Sequence, residues 1–129
     1  MNFLDSLLAP MPGTESRTIG GVRVDVFKAG AGRVKRMIYP PGFGWSKDLK
    51  PVIGTAWCQH AHVGFIAHGE VEVRFADGRV VKYAAPQAYT MEPGHDGWVV
   101  GDEPAVVIEF DFEGQTAEKF GLPGARARG

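Results

Sequence analysis

Short runs in which apolar and polar residues alternate recur along this chain, and they constrain its fold more than any other feature. The alternation is clearest in residues 22–26, VRVDV, and again in residues 105–112, AVVIEFDF. A period of two is typical of a half-buried β-strand, because successive side chains point to opposite faces of a sheet. No helical pattern of similar length interrupts these runs. The alternation therefore predicts an all-β chain.

Turn signals separate the runs at short intervals. The dipeptide Asp77-Gly78 lies between two alternating runs and is the strongest hairpin signal in the chain. Eighteen glycines and nine prolines in 129 residues supply the tight turns that short strands need. Eight or nine such strands predict a two-sheet sandwich or jelly roll over about residues 22–112.

The remaining segments are short, and the length of the chain suits one domain, residues 1–129. Residues 2–9 have apolar side chains on one side and precede Pro10, which predicts a short helical segment. We expect an N-terminal arm, residues 1–20, that packs on the outside of the barrel or on a partner. Residues 114–129 show no clear pattern and are interpreted as a tail.

Charge and cysteine content limit the partners and the compartment. Fourteen basic and fifteen acidic residues leave a net charge of −1, whereas a nucleic-acid partner calls for a basic surface. The single cysteine cannot form an internal disulfide, which suits a reducing compartment. The N-terminal segment lacks the basic residues of a signal peptide, and no apolar run reaches transmembrane length. We expect a cytoplasmic protein that binds neither nucleic acid nor membrane.

Candidate metal ligands are concentrated in two segments. Residues 54–69, GTAWCQHAHVGFIAHG, contain Cys58, His60 and His62, which would project from one face of an extended strand. His95 follows a Pro-Gly turn about thirty residues later. Thiolate and imidazole groups are ligands for transition metals, so these four residues are the predicted ligands of a metal site.

The same segments resemble the cupin motifs. Gly54, five residues, His60, one residue and His62 resemble the opening of the first cupin motif, and VGFIAHGEVEVRF resembles its continuation. Residues 89–104, YTMEPGHDGWVVGDEP, resemble the second motif. The resemblance extends over about residues 54–112 and implies a small single-domain cupin, with a double-stranded β-helix (jelly-roll) barrel. It also implies a small organic molecule as ligand.

The first motif departs from the family pattern. The family's metal-binding glutamate is expected four or five residues after the second histidine, where Ile66 and Ala67 stand. In a second alignment His62 takes the glutamate position, and Thr55 and Trp57 fall near the histidine positions. Both alignments give His62 a ligand role.

The second motif is also altered, because Gly97 stands where its histidine is expected and His95 comes two residues earlier. A shift of two preserves the side of the strand, so His95 is still expected to face inward. A divalent transition metal (Zn, Fe, Ni, Cu or Mn) and the absence of any metal are equally compatible with these altered motifs.

Three functions follow from the resemblance. The chain is interpreted as a small-molecule-binding cupin that acts as a metal-dependent enzyme of unspecified reaction, as a metal-free sensor or carrier, or as a structural dimerisation module. Tyr39 and Met91 are predicted to line the ligand pocket. Either an edge strand or the two-sided apolar segment 63–65 is suited to pairing with a second chain, so a homodimer is expected.

Three further residues have two interpretations each. Asp96 either caps neighbouring amides or orients His95. Trp45, in a loop over the mouth of the barrel, is expected to cover the core rather than to bind a ligand. Glu109 alternates with Ile108 and Phe110 and is expected to face solvent; if the strand faces the other way, it becomes the missing carboxylate.

Overall fold

The computed structural model describes residues 3–30, 32–49, 62–91 and 95–112. Antiparallel strands pair in two sheets, with strand order β1-β2-β3-β9-β4-β7 in the larger sheet and β6-β5-β8 in the smaller. The elements are α1 (Phe3–Leu8), β1 (Glu15–Ile19), β2 (Val22–Ala29), β3 (Gly32–Tyr39), a π-helical turn (Trp45–Leu49), β4 (His62–His68), β5 (Glu70–Phe75), β6 (Val80–Ala84), β7 (Gln87–Met91), β8 (His95–Val99) and β9 (Ala105–Phe112). This architecture confirms the predicted all-β, two-sheet barrel with a short N-terminal helix.

The predicted hairpin joins β5 to β6. Gly78 has a φ of 91°, a left-handed conformation that glycine adopts without steric cost, and its N–H donates to the carbonyl of Phe75. Strand β1, in contrast, lies in the segment predicted as an arm and pairs with β2. Four of its five residues are exposed, so no apolar alternation marks it in the sequence.

The inner face of the larger sheet is divided into an apolar and a polar part. Met37, Val107 and Ile66 are aligned across β3, β9 and β4, and all three are buried in the core. A second set of inner-face positions is aligned two residues further along β3, β9 and β4, and it continues into β7. We call this set the polar row; it consists of Lys35, Glu109, Gly64 and Tyr89.

Gly64 allows the strands of the polar row to approach closely. A Cβ atom built at this glycine would lie 2.1 Å from the carbonyl oxygen of Ile108 and 2.9 Å from the Cα of Glu109. These are backbone atoms that cannot move aside, so any side chain at Gly64 would push β9 away from β4. The glycine thus fixes the position of Glu109 relative to its neighbouring strand.

The outer face of the larger sheet holds the N-terminal helix. Arg36 Nη1 donates to the carbonyl of Leu7 at 2.8 Å, and Arg23 Nη1 donates to that of Leu8 at 3.4 Å. Both arginines also bind Asp25, which is fully buried. The helix therefore packs on the outside of the barrel. No helix in the described ranges is long and apolar enough to cross a membrane.

Candidate functional site

A hydrogen-bonded pair of side chains, Tyr89 and Glu109, lies on the inner face of the larger sheet. The Tyr89 hydroxyl donates to Glu109 Oε2 at 2.5 Å across the intervening strand β4. Their exposed fractions are 9% and 5%. Burial raises the pKa of Tyr89, and the negative charge of Glu109 and the hydrogen bond raise it further. Tyr89 therefore remains a protonated donor at all ordinary pH values.

The buried position of Glu109 shows that its expected exposure to solvent is wrong. Alternation in β9 separates Glu109 from Ile108 and Phe110, but it does not say which set faces the core. The structure places Ala105, Val107 and Glu109 on the inner face, because Ala105 and Val107 belong to the buried core and Glu109 lies on the same side of β9. The set that contains Ile108 and Phe110 is the more apolar one, so hydrophobicity favoured the face that the structure places outside. The arrangement corresponds to the second interpretation, a carboxylate inside the barrel.

Tyrosine rings surround this pair. The Tyr83 ring, in the smaller sheet, lies 5.8 Å from the Tyr89 ring between centroids, so the two rings join the two sheets. Burial also raises the pKa of Tyr83. Tyr39, a predicted pocket residue, is half-buried and its ring centroid lies 4.9 Å from that of Phe43. The phenol groups therefore add polar atoms to an otherwise apolar wall.

His95 lies on the inner face of the smaller sheet. It pairs with Phe75 in the ladder, contacts the Phe75 ring edge-on at 6.2 Å and is only 7% exposed. His95 lies on the same side of β8 as Val99, which is a core residue. The imidazole thus belongs to the interior, on the sheet that faces the polar row.

Asp96 points the other way and anchors the π-helical turn. Its Oδ1 accepts hydrogen bonds from the backbone N–H groups of Ser46 at 3.2 Å and Gly97 at 2.9 Å, and its Oδ2 accepts from the Ser46 hydroxyl. Of the two interpretations of Asp96, the structure shows the one in which it caps neighbouring amides. Nothing in the sequence near residue 96 indicated Ser46 as the partner, because fifty residues separate them.

The remaining predicted site residues are described in part or not at all. Cys58 and His60 lie outside the described residues. The backbones of His62 and Met91 pair at the ends of β4 and β7, whereas their side chains lie outside the description. His62 occupies a strand position of the same parity as Ile66, which is buried in the core.

The described side chains do not by themselves form a metal site. In residues 3–30, 32–49, 62–91 and 95–112, no group of three histidine, cysteine, aspartate or glutamate side chains is placed to hold a metal ion. Glu109 accepts a hydrogen bond from Tyr89, and His95 packs against Phe75. No chemical step through a metal follows from these contacts.

Comparisons with known proteins identify the fold. No protein-family model matches the chain, and no curated protein matches it. The solved structures that are similar to it include the following three. A Cupin 2 conserved barrel domain protein from Salinispora arenicola has 14% sequence identity and a TM-score of 0.58, covering 88% of this chain and 94% of its own.

The second is an RmlC-like cupin from Shewanella frigidimarina, with 17% identity, a TM-score of 0.53 and coverage of 79% and 86%. The third is an uncharacterised conserved protein with a double-stranded β-helix domain from Klebsiella pneumoniae, with 18% identity, a TM-score of 0.53 and coverage of 90% and 91%. At these identities the likeness concerns the fold. The chain has the double-stranded β-helix fold of the cupin superfamily.

Proposed function

We propose that this chain binds a small organic molecule inside its barrel, at the polar row. The observation that carries the proposal is the buried Tyr89–Glu109 pair on the inner face of the larger sheet. Ligand sites in proteins are concave, mostly apolar and equipped with a few convergent polar groups. The barrel interior supplies the apolar and polar groups of such a site: core side chains such as Ile66 and Val107, and the buried polar groups of Glu109, Tyr89 and, on the opposing sheet, His95.

The pair has a definite chemical character. Since the pKa of Tyr89 is raised, this phenol acts as a hydrogen-bond donor and not as a base or nucleophile. Its bond holds the Glu109 carboxylate in one orientation, with Gly64 keeping the adjacent strands close. Tyr89 is accordingly a positioning residue, and Glu109 is the group that would accept a hydrogen bond or a proton from the ligand.

A fragment screen by ligand-observed NMR tests this proposal. We expect fragments that bind the parent protein to lose binding in Glu109→Gln and to bind more weakly in Tyr89→Phe. Glu103→Gln is the matched control, because the Glu103 side chain is 63% exposed and pairs with His68 away from the polar row. Loss of one hydrogen bond to a charged group corresponds to roughly tenfold or more in Kd.

Two outcomes would contradict the proposal. One is that no fragment binds the folded parent protein. The other is that every bound fragment responds equally to Glu109→Gln and Glu103→Gln, which would place the ligand elsewhere. Circular dichroism of each variant separates loss of binding from loss of folding.

A metal-dependent enzyme is the second candidate function. Two observations support it: His62 lies on the same side of β4 as the buried Ile66, and His95 is buried. Cys58 and His60 remain predicted ligands, and the metal would be a divalent transition ion. His62→Ala should strongly reduce the metal content of protein purified without a nickel column, because an open site has few ligands to spare.

His68→Ala is the matched control for this measurement. His68 lies at the other end of β4, where its ring contacts the Pro104 carbonyl and the Glu103 carboxylate. Equal metal content in the two variants, or a parent without metal, would leave metal-free ligand binding as the function.

The expected homodimer has a candidate interface on the outer face of the larger sheet. Phe27, Val34 and Phe110 are aligned across β2, β3 and β9, and the Phe65 ring lies 6.5 Å from that of Phe110. Phe27 and Phe65 are 42% and 38% exposed. We infer that a second copy covers this apolar face, since monomers rarely expose contiguous patches of this kind.

Light scattering after size exclusion checks the interface. Phe65→Glu should convert a dimer into a monomer, whereas Val80→Glu should not, because Val80 is exposed on the smaller sheet. A monomeric parent protein would refute the dimer, and dissociation by both variants would refute the interface.

A further inference from the structure

Trp45 faces the interior of the barrel. Residues 44–46 run antiparallel along β8: Gly44 forms a β-bridge with Trp98, and the Ser46 N–H donates to Asp96 Oδ1. This register places the backbone of Trp45 beside Gly97 in β8, the strand that carries His95 and Val99. Trp45 also packs against the hydrophobic core, as expected from the sequence. The packing against the core shows that the indole points inward.

The indole N–H of Trp45 is a buried donor that has no hydrogen-bond partner in the described part of the chain. Trp98, the neighbouring tryptophan, points outward and donates from Nε1 to Glu72 Oε1 at 3.0 Å. Nearly all buried polar atoms in proteins have a partner, so an unpaired N–H requires a physical explanation.

The π-helical turn holds this donor in place before any ligand arrives. Asp48 Oδ2 accepts from the Gly44 N–H at 2.9 Å, and the Asp48 N–H donates to the Gly44 carbonyl at 2.8 Å. Asp96 binds Ser46 on the other side of Trp45. A donor that is already oriented loses little conformational entropy when it binds a ligand.

We propose that Trp45 Nε1 donates a hydrogen bond to an oxygen atom of the molecule bound in the barrel. This inference rests on the proposed small-molecule function and assigns a chemical class to the ligand. The donor is uncharged and lies against apolar core side chains, where an ionised acceptor would be costly to bury. The part of the ligand that faces Trp45 is therefore an uncharged oxygen, such as a carbonyl, next to apolar atoms.

Indole NMR tests this inference with a matched pair of probes. Cyclohexanone carries one carbonyl acceptor, and methylenecyclohexane has the same shape without the oxygen. The indole signals of ¹⁵N-labelled protein are assigned with Trp45→Phe and Trp98→Phe. We expect cyclohexanone to move the Trp45 signal downfield in a saturable manner, with no such shift from methylenecyclohexane and none at Trp98.

Binding measurements complete the test. Trp45→Phe should weaken cyclohexanone binding about threefold to tenfold, the range for one neutral hydrogen bond, while Trp98→Phe leaves it unchanged. An unchanged Trp45 signal, or equal shifts with both probes, overturns the inference. A third outcome is that fragments sensitive to Glu109→Gln bind, but neither they nor cyclohexanone move the Trp45 signal. In that case the proposed function is supported and the role of Trp45 is refuted. If neither the fragments nor cyclohexanone bind, both the proposed function and the role of Trp45 are refuted.

Discussion

Asp25 and Glu109 are two buried carboxylates on opposite faces of one sheet, and their surroundings differ. Asp25, on the outer face, accepts hydrogen bonds from the Ser16 hydroxyl, from Arg23 Nε and from Arg36 Nε and Nη2. Glu109, on the inner face, accepts a hydrogen bond from the neutral hydroxyl of Tyr89. Two guanidinium groups contact the first carboxylate, and a phenol hydroxyl is among the contacts of the second.

The difference fits a structural role for Asp25 and the proposed ligand-binding role for Glu109. Burial alone would raise the pKa of Asp25, but hydrogen bonds from Ser16 and Arg36 and the charges of Arg36 and Arg23 outweigh it and lower that pKa. The same arginines bind the carbonyls of Leu7 and Leu8, so Asp25 helps to dock α1. Glu109 and Tyr89 lie in the interior instead, where a ligand would be bound.

Breaking the ion pair between Asp25 and Arg36 on the outer face should have the largest effect on stability. Arg36→Met leaves the Asp25 carboxylate buried beside fewer positive charges, and we expect it to lower the free energy of unfolding by about 3–5 kcal/mol. Arg23→Met is the control, because the Arg23 side chain is 35% exposed and its ion pair should contribute no more than about 1 kcal/mol. Urea denaturation measures both values, and equal losses would argue against a special role of Arg36.

Removing the inner hydrogen bond should cost less stability. Tyr89→Phe deletes the donor and leaves a buried carboxylate oxygen, for which we expect a loss of about 1–3 kcal/mol. The same denaturation experiment gives this value. A loss as large as that of Arg36→Met would mean that the inner pair is as structural as the outer one, and the comparison would fail.

The smallest expected effect is on the pH dependence of the free energy of unfolding, to which Asp25 and Tyr89 should contribute at opposite ends of the pH range. A lowered folded-state pKa gives Asp25 a stabilising contribution that is complete above its unfolded pKa, about 4, and is lost as the pH falls through the folded value. A raised pKa gives Tyr89 a contribution that is complete below about pH 10 and is lost at more alkaline pH. Asp25→Asn should therefore flatten the acid side of the stability profile, and Tyr89→Phe the alkaline side. Changes on the opposite sides would contradict the assignment.

The alternation of residues along the chain was sufficient to predict the class of fold. A period of two is a local property, so runs such as residues 22–26 predicted strands without knowledge of their neighbours. Asp77-Gly78 predicted the β5–β6 hairpin for the same reason, because the turn conformation depends on these two residues. Strand β1 was missed, since its polar residues follow no apolar pattern and it is held by pairing with β2.

The tertiary structure alone decided which face of each strand lies inside. A pattern with a period of two defines two faces, but the more apolar face is not always the inner one: in β9, Ile108 and Phe110 lie on the outer face. The inward position of Glu109 follows from the alignment of β9 between β3 and β4, and the bond from Tyr89 follows from a third strand. The partners of Asp25 and Asp96 are likewise distant in sequence. Long-range pairing creates such contacts, whereas a linear pattern records only the nearest residues.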